Sequence, residues 1–246
     1  MLSQLGRLLE RLERQLEQQL CRCLLCSARI NGSDIDGNDD VSAGICAPCH
    51  RDLPSIDHAC QRCALPLINR AERECPRCLQ QPPSHQYSHA CWVYAYPVAQ
   101  LIQRFKYQRD FAPGRTLAEL AASRLRPQES LPDLLVPVPL HWRRQLGRGY
   151  NQAQLVADIF GRHWRIPVAP GALRKNSATG SQQGLRRAER LKNLARSFTA
   201  GPRVRGLHVG LVDDVITTGA TLEAATQSLL AAGARQVSVF ALARTP

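Results

Sequence analysis

The stretch Leu207-His208-Val209-Gly210-Leu211-Val212-Asp213-Asp214-Val215-Ile216-Thr217-Thr218-Gly219-Ala220-Thr221-Leu222 decides how the rest of the chain is read. A short apolar run bounded by turn formers predicts a buried parallel strand that ends in two adjacent carboxylates. A loop of small and hydroxyl residues follows. Beyond it, Ala220 to Ala232 spaces Leu222, Ala225, Leu229 and Leu230 at helical intervals. A small-residue turn between a strand and a helix start is where backbone amides and the helix dipole hold a phosphate. Carboxylates do not bind phosphate, but beside such a loop they suit sugar hydroxyls or a ligand-borne magnesium ion. The combination points to a phosphorylated sugar.

The chain has 246 residues, enough for one medium domain and a smaller one. Ten cysteines accompany a net charge of +12. Neither a secretory h-region nor an apolar run of bilayer length is present, which predicts a soluble, cytoplasmic protein with no membrane insertion. In a reducing compartment the cysteines favour metal ligation over disulfides. Between His141 and Arg205 there are fourteen Lys or Arg against two acids, Asp158 and Glu189. That bias favours a polyanionic partner, either nucleic acid or a pyrophosphate-bearing ligand. A plain solvated face would have the same composition.

Four C-x-x-C pairs lie between Cys21 and Cys78: Cys23/Cys26, Cys46/Cys49, Cys60/Cys63 and Cys75/Cys78. Each is a knuckle presenting two thiolates, and two knuckles complete a tetrahedral zinc site. The simplest pairing joins neighbours, giving Cys23, Cys26, Cys46 and Cys49 for one zinc and Cys60, Cys63, Cys75 and Cys78 for another. Cross-bracing is the alternative, and Cys21 is a substitute for Cys23. Cys91 reads as a buried strand residue. Zinc would supply most of the folding energy of such a small module. The Asp- and Asn-rich stretch Asn31 to Asp40 reads as an exposed turn.

The expected organisation is an amphipathic helix over 1–20, a Cys-rich double zinc module over 21–88 and an α/β domain over 89–246. The helix has leucines at spacings of three and four, and packing or a dimer contact would suit it. In the α/β domain, expected strands are 91–96, 134–139, 168–173 and 237–242, beside the opening one. Expected helices are 98–107, 117–125 and 152–160. Strands alternating with helices indicate a mainly parallel sheet.

Two further segments carry site chemistry. Val136 to Leu155, VPVPLHWRRQLGRGYNQAQL, is a second strand–loop–helix unit with Arg143, Arg144 and Arg148 in its loop. Guanidinium forks and free amides suit a pyrophosphate, although incidental surface arginines would look the same. Arg174 to Arg196 is basic, and Ser177, Thr179, Gly180 and Ser181 loosen it; it reads as a flap over an anion or as a basic linker.

VDDVITTGAT resembles the phosphoribosyl pyrophosphate (PRPP) signature of type I phosphoribosyltransferases. Together with the C-x-x-C pairs, Phe105-Lys106-Tyr107, Val136 to Leu140, Arg148 to Gln152, and Gln182-Gln183-Gly184-Leu185 with Arg190, Asn193 and Phe198, it resembles the ComF/GntX (competence protein F) family. That resemblance implies a type I phosphoribosyltransferase-like sheet with flanking helices, preceded by the small zinc module. It implies that Asp213 and Asp214 hold the ribose and act as the catalytic acids. Thr217, Thr218, Gly219, Ala220 and Thr221 would bind the 5′-phosphate, and Arg143, Arg144, Arg148 and Lys106 the pyrophosphate. Gln182 and Arg190 would belong to the flap. Tyr150 stands where the family more often has Phe, a change that should not alter packing.

The implied cofactors are one or two structural zinc ions, with magnesium accompanying PRPP. The implied role is in competence and DNA utilisation, handling single-stranded DNA in the cytoplasm alongside the DNA-uptake machinery. The alternative is an active phosphoribosyltransferase moving ribose-5-phosphate onto an unknown nitrogen acceptor.

Overall fold

The computed structural model describes residues 22–30, 44–127, 130–140, 150–176 and 197–246. The helix expected over 1–20, Cys21, the turn at 31–40, Arg143, Arg144, Arg148, Gln182, Arg190 and Asn193 lie outside the described residues. The chain divides into two compact units, Met1–Leu53 and Pro54–Pro246. The boundary expected at residue 88 thus falls within the second unit, which holds the later pair of knuckles.

The first unit contains Cys23, Cys26, Cys46 and Cys49 and the short helix α1 (Ala47–Arg51). The second opens with Cys60 to Cys78 and helix α2 (Pro76–Gln80). It continues as β1 (Tyr87–Val93), α3 (Val98–Tyr107), α4 (Phe111–Leu125), β2 (Leu134–Pro137), α5 (Gln152–Trp164), β3 (Leu173–Lys175), β4 (Phe198–Ala200), β5 (His208–Ile216), α6 (Ala220–Ala231) and β6 (Gln236–Arg244).

A four-stranded parallel sheet in the order β1-β6-β5-β2 forms the core. Strands of a parallel sheet covered on both faces are apolar throughout. The central strands show it: β5 is buried except at Asp213, and β6 is buried from Val237 to Arg244. Gly210 sits where a Cβ would meet Leu135 Cδ2 at 2.5 Å, so β2 and its side chains pack directly on the glycine backbone.

The helices seal the sheet. Trp164 of α5 donates its indole N–H to the Ala122 carbonyl at 2.7 Å and packs edge-on against Phe240. A Cβ at Gly114 would lie 2.4 Å from the Phe105 ring, so α4 needs a glycine there to accept α3. Asp110 caps α4 at the Ala112 amide and pairs with Arg104 at 2.7 Å.

Three expectations are corrected. The opening strand does not end at the acids: β5 runs on to Ile216, because pairing to β6 continues through Asp213↔Ala241 and Ile216↔Arg244. Helix α4 begins six residues before Leu117, since Pro113 falls in the first turn, where no intrahelical N–H is needed. Residues 168–173 are not a strand. Val168 makes one bridge to Leu135, then Pro170–Ala172 turn as a 3₁₀ helix, and only Leu173–Lys175 pair, antiparallel, with β4.

Candidate functional site

The site lies at the carboxyl end of β5, where the chain turns into α6. Gly219 is the N-cap of α6 with φ +80, a left-handed conformation that only glycine adopts without strain. Gly219 brings no side chain of its own to cap the first-turn amides, and Thr217, Thr218 and Thr221 of the loop are exposed. Thr218 Oγ1 accepts from the Ala220 amide at 3.4 Å. A loop of this shape at the start of a twelve-residue helix can receive an anion.

Asp213 and Asp214 stand one turn of chain before it. Asp214 is buried and its Oδ1 meets Lys106 Nζ at 2.8 Å. Asp213 Oδ1 accepts the Asp214 amide at 2.9 Å. Burial, and then the neighbouring Asp214 charge, raise Asp213 to about 7. The Asp214 N–H, Lys106 and Lys175 oppose that rise without cancelling it. The pair therefore shares a poorly hydrated corner with lysines from two directions, α3 and β3.

The described residues on either side of 141–149 are bonded to each other. Asn151 Oδ1 caps α5 at the Ala153 amide, while its Nδ2 donates to the Val138 carbonyl at 3.0 Å, clasping the two sides of residues 141–149. Tyr150 packs against Phe105 and Phe111, with ring centroids 5.6 and 4.5 Å away, and its hydroxyl donates to the Phe105 carbonyl. Tyr150 is thus bonded to the end of α3, which carries Lys106. Residues 177–196 are flanked by the antiparallel ribbon of β3 and β4, with Phe198 buried in β4.

Both cysteine groups gather as neighbours. Cys23, Cys26, Cys46 and Cys49 form one cluster and Cys60, Cys63, Cys75 and Cys78 the other, each with sulfurs within 4.8 Å of one another. Cys26 and Cys46 sulfurs lie 3.6 Å apart, and those of Cys63 and Cys75 3.7 Å. The edge of a tetrahedron with metal–sulfur bonds of about 2.3 Å is about 3.8 Å, so both groups could hold a metal ion. Backbone N–H groups already point at sulfur, from Cys46 to Cys23 at 3.4 Å and from Cys75 to Cys60 at 3.3 Å. Burial pushes the Cys23 thiol up, but amides of Cys26, Cys46 and Leu25 outweigh it and bring it down to about 6. Cys63 is pushed up to about 11 by burial and by the Cys60 charge, and burial drives Cys49 and Cys78 upward too. Four thiolates this close do not ionise together without a cation. Cys91 is buried in β1, apart from both groups.

A phosphoribosyl transferase domain model matches residues 147–246. Over 231 residues the chain is 36% identical to competence protein F of Haemophilus influenzae, covering 91% of this chain and 96% of that protein. The chain belongs to the competence protein F family. Similarity to the DNA utilization protein YhgH of Escherichia coli K12 is 35% over 207 residues, covering 82% of this chain and 91% of that one. A purine phosphoribosyltransferase from Pyrococcus horikoshii matches at 16% identity with a TM-score of 0.34, over 52% of this chain and 80% of that one.

In this competence protein F relative, the structure brings Asp213, Asp214, Lys106 and the 217–221 loop together. Two contributors had no signal in the sequence. Lys175 reaches Asp213 electrostatically from the end of β3, though it sits in a stretch read only as a basic segment. Arg244 lies past the strand expected over 237–242, yet it is buried and bonds the Thr217 carbonyl behind the loop.

Proposed function

We propose that the protein binds Mg-PRPP at the β5–α6 turn and serves DNA utilisation during competence, acting in the cytoplasm on single-stranded DNA beside the uptake machinery. The observation that carries the ligand assignment is a glycine-capped helix start placed directly after two carboxylates and beside Lys106. Asp213 and Asp214 accept the ribose hydroxyls, and residues 217–221 hold the 5′-phosphate through amides and hydroxyls. Lys106, which neutralises Asp214 in the free protein, turns with Arg143, Arg144 and Arg148 to the pyrophosphate. Gln182 and Arg190 close over it, and the two cysteine clusters hold zinc. The names of the H. influenzae and E. coli relatives support the DNA role, and the basic stretch 141–205 supplies the charge that a phosphate backbone requires.

The test is calorimetric titration of Mg-PRPP into the protein and into Asp214→Asn. Saturable binding lost in the variant is expected; equal binding by both would sink the assignment. Single-stranded DNA affinity should fall steeply across a salt series, whereas a flat response would count against the DNA role.

The adjacent acids and their lysines favour a second reading, transfer to a nitrogen acceptor. The nitrogen lone pair forms the bond to the anomeric carbon, the bond to pyrophosphate oxygen breaks, and the nitrogen loses its proton to solvent. Pyrophosphate release in the presence of candidate acceptors distinguishes this reading from binding alone.

A further inference from the structure

The back of the phosphate loop is tied to the second cysteine cluster at two points. Arg244 ends β6 and is only 7% exposed. Its Nε donates to the Cys63 carbonyl at 2.9 Å, inside the knuckle. Its Nη1 donates to the Thr217 carbonyl at 2.7 Å and, more loosely, to that of Ile216 at 3.4 Å. Thr245 reinforces the same spot: its amide and hydroxyl both donate to the Ile216 carbonyl, at 2.9 and 3.2 Å. One planar guanidinium therefore spans the knuckle and the first residue of the loop.

The second point lies past the loop. Ser84, which follows Cys78 by six residues, donates its amide at 2.9 Å and its hydroxyl to the Glu223 carboxylate. Glu223 is in the first turn of α6, where its own amide bonds the Gly219 carbonyl. The other side of the knuckle is held too, since His85 Nε2 and Ser88 Oγ both donate to the Arg62 carbonyl at 2.8 Å. Burying a guanidinium is costly unless its donors are met, so the position of Arg244 depends on the Cys63 carbonyl being in place. That carbonyl is positioned by the knuckle, whose shape depends on the metal.

We infer that the Cys60–Cys78 cluster is the scaffold of the phosphate loop and that Arg244 is the positioning residue that transmits its metal-bound shape to residues 217–219. This rests on reading that loop as the ribose-phosphate site. The cluster then links metal occupancy to ligand affinity within a single compact unit. Arginine is required because one lysine ammonium cannot reach carbonyls on both sides in a fixed fork.

The experiment is a cycle of Arg244→Gln against metal removal by chelation, read by amide exchange in the ligand-free protein. The reporters are Thr245 and Glu223, whose amides bond Ile216 and Gly219. Arg244→Gln should speed exchange of both about tenfold or more, with the Leu211 amide in β5 unchanged and metal content retained. Chelation should speed exchange of both reporters in the wild type by at least as much, and Arg244→Gln should add little once the metal is gone, because its tie is then already broken. Arg244→Lys should recover only part of the protection. Unchanged reporters in Arg244→Gln, or additive effects of variant and chelator, would overturn the inference. Mg-PRPP affinity measured in parallel should fall about tenfold in Arg244→Gln. If the wild type bound no Mg-PRPP, the ribose-phosphate reading would fail while the exchange cycle still decided the tie.

Discussion

The two cysteine clusters are built alike and embedded differently. In each, the first cysteine donates its amide to the carbonyl five residues on and accepts from the amide four residues on, Ala28 and Ser27 for Cys23, Leu65 and Ala64 for Cys60. In each, the fourth residue after that cysteine, Ser27 or Ala64, has positive φ. The third cysteine of each, Cys46 or Cys75, caps a five-residue helix with proline in its first turn. Yet Cys26 is exposed and Cys49 half-buried in the first cluster, while Cys60, Cys75 and Cys78 are all buried in the second, among Leu65 and Leu67. The second also accepts side-chain bonds at Arg62 and Cys63 from His85, Ser88 and Arg244. The same ligand chemistry thus serves in a partly exposed cluster and in one packed among leucines.

The largest effect should come from Cys75→Ser. Losing the second metal is expected to lower the stability of the 54–246 unit by more than about 4 kcal/mol, seen in thermal unfolding followed by Trp92 and Trp164 fluorescence. Cys26→Ser should remove one metal per chain by mass spectrometry and leave that transition largely in place. Equal shifts for both variants would erase the distinction.

Next comes the charge at the site that the second cluster supports. Asp213 binds its proton more tightly in the folded state, so between about pH 4 and pH 7 the native protein holds more protons than the unfolded chain. Its contribution to stability therefore declines as pH rises through that window and levels off above it. Asp213→Asn should stabilise the ligand-free protein by about 2 kcal/mol at pH 8 and by almost nothing at pH 4, measured by urea unfolding.

His85 works with the opposite sign. Burial holds its pKa below 6.5, keeping the ring neutral to bond Arg62. The unfolded chain binds the proton first as pH falls, so stability is lost below about pH 6.5. His85→Gln should flatten that slope at a cost of about 1 kcal/mol at pH 7.5, an acid sensitivity belonging to the second cluster's surroundings. The smallest change is expected for Glu223→Gln, whose contact with Ser84 is exposed: under about 1 kcal/mol in unfolding, with faster exchange of its own amide.

Much of this was legible. Apolar β5 and β6, the helical spacing of Leu222, Ala225 and Leu229, and the four C-x-x-C pairs each follow a local rule that the fold obeys. What sequence pattern missed was set by partners far along the chain. Two acids looked like the end of a strand, but the register with β6 carries β5 past them. The expected helix began only at Leu117; Pro113 sits in a tolerant first turn and Gly114 makes room for Phe105, so the helix starts at Phe111. Arg244 carries no motif at all, and its role follows only from the parallel pairing that sets it against Ile216.

That placement has a practical side. Arg244 and Thr245 bond the carbonyls of Thr217 and Ile216 from positions just beyond the last apolar residues of β6, so the backing of the loop comes from residues outside the apolar core. A variant truncated after Ala243 would keep every strand except the end of β6 and leave the cysteines untouched, yet detach the loop from its backing. A preparation clipped in this way would look well folded by circular dichroism while having lost its hold on the ligand.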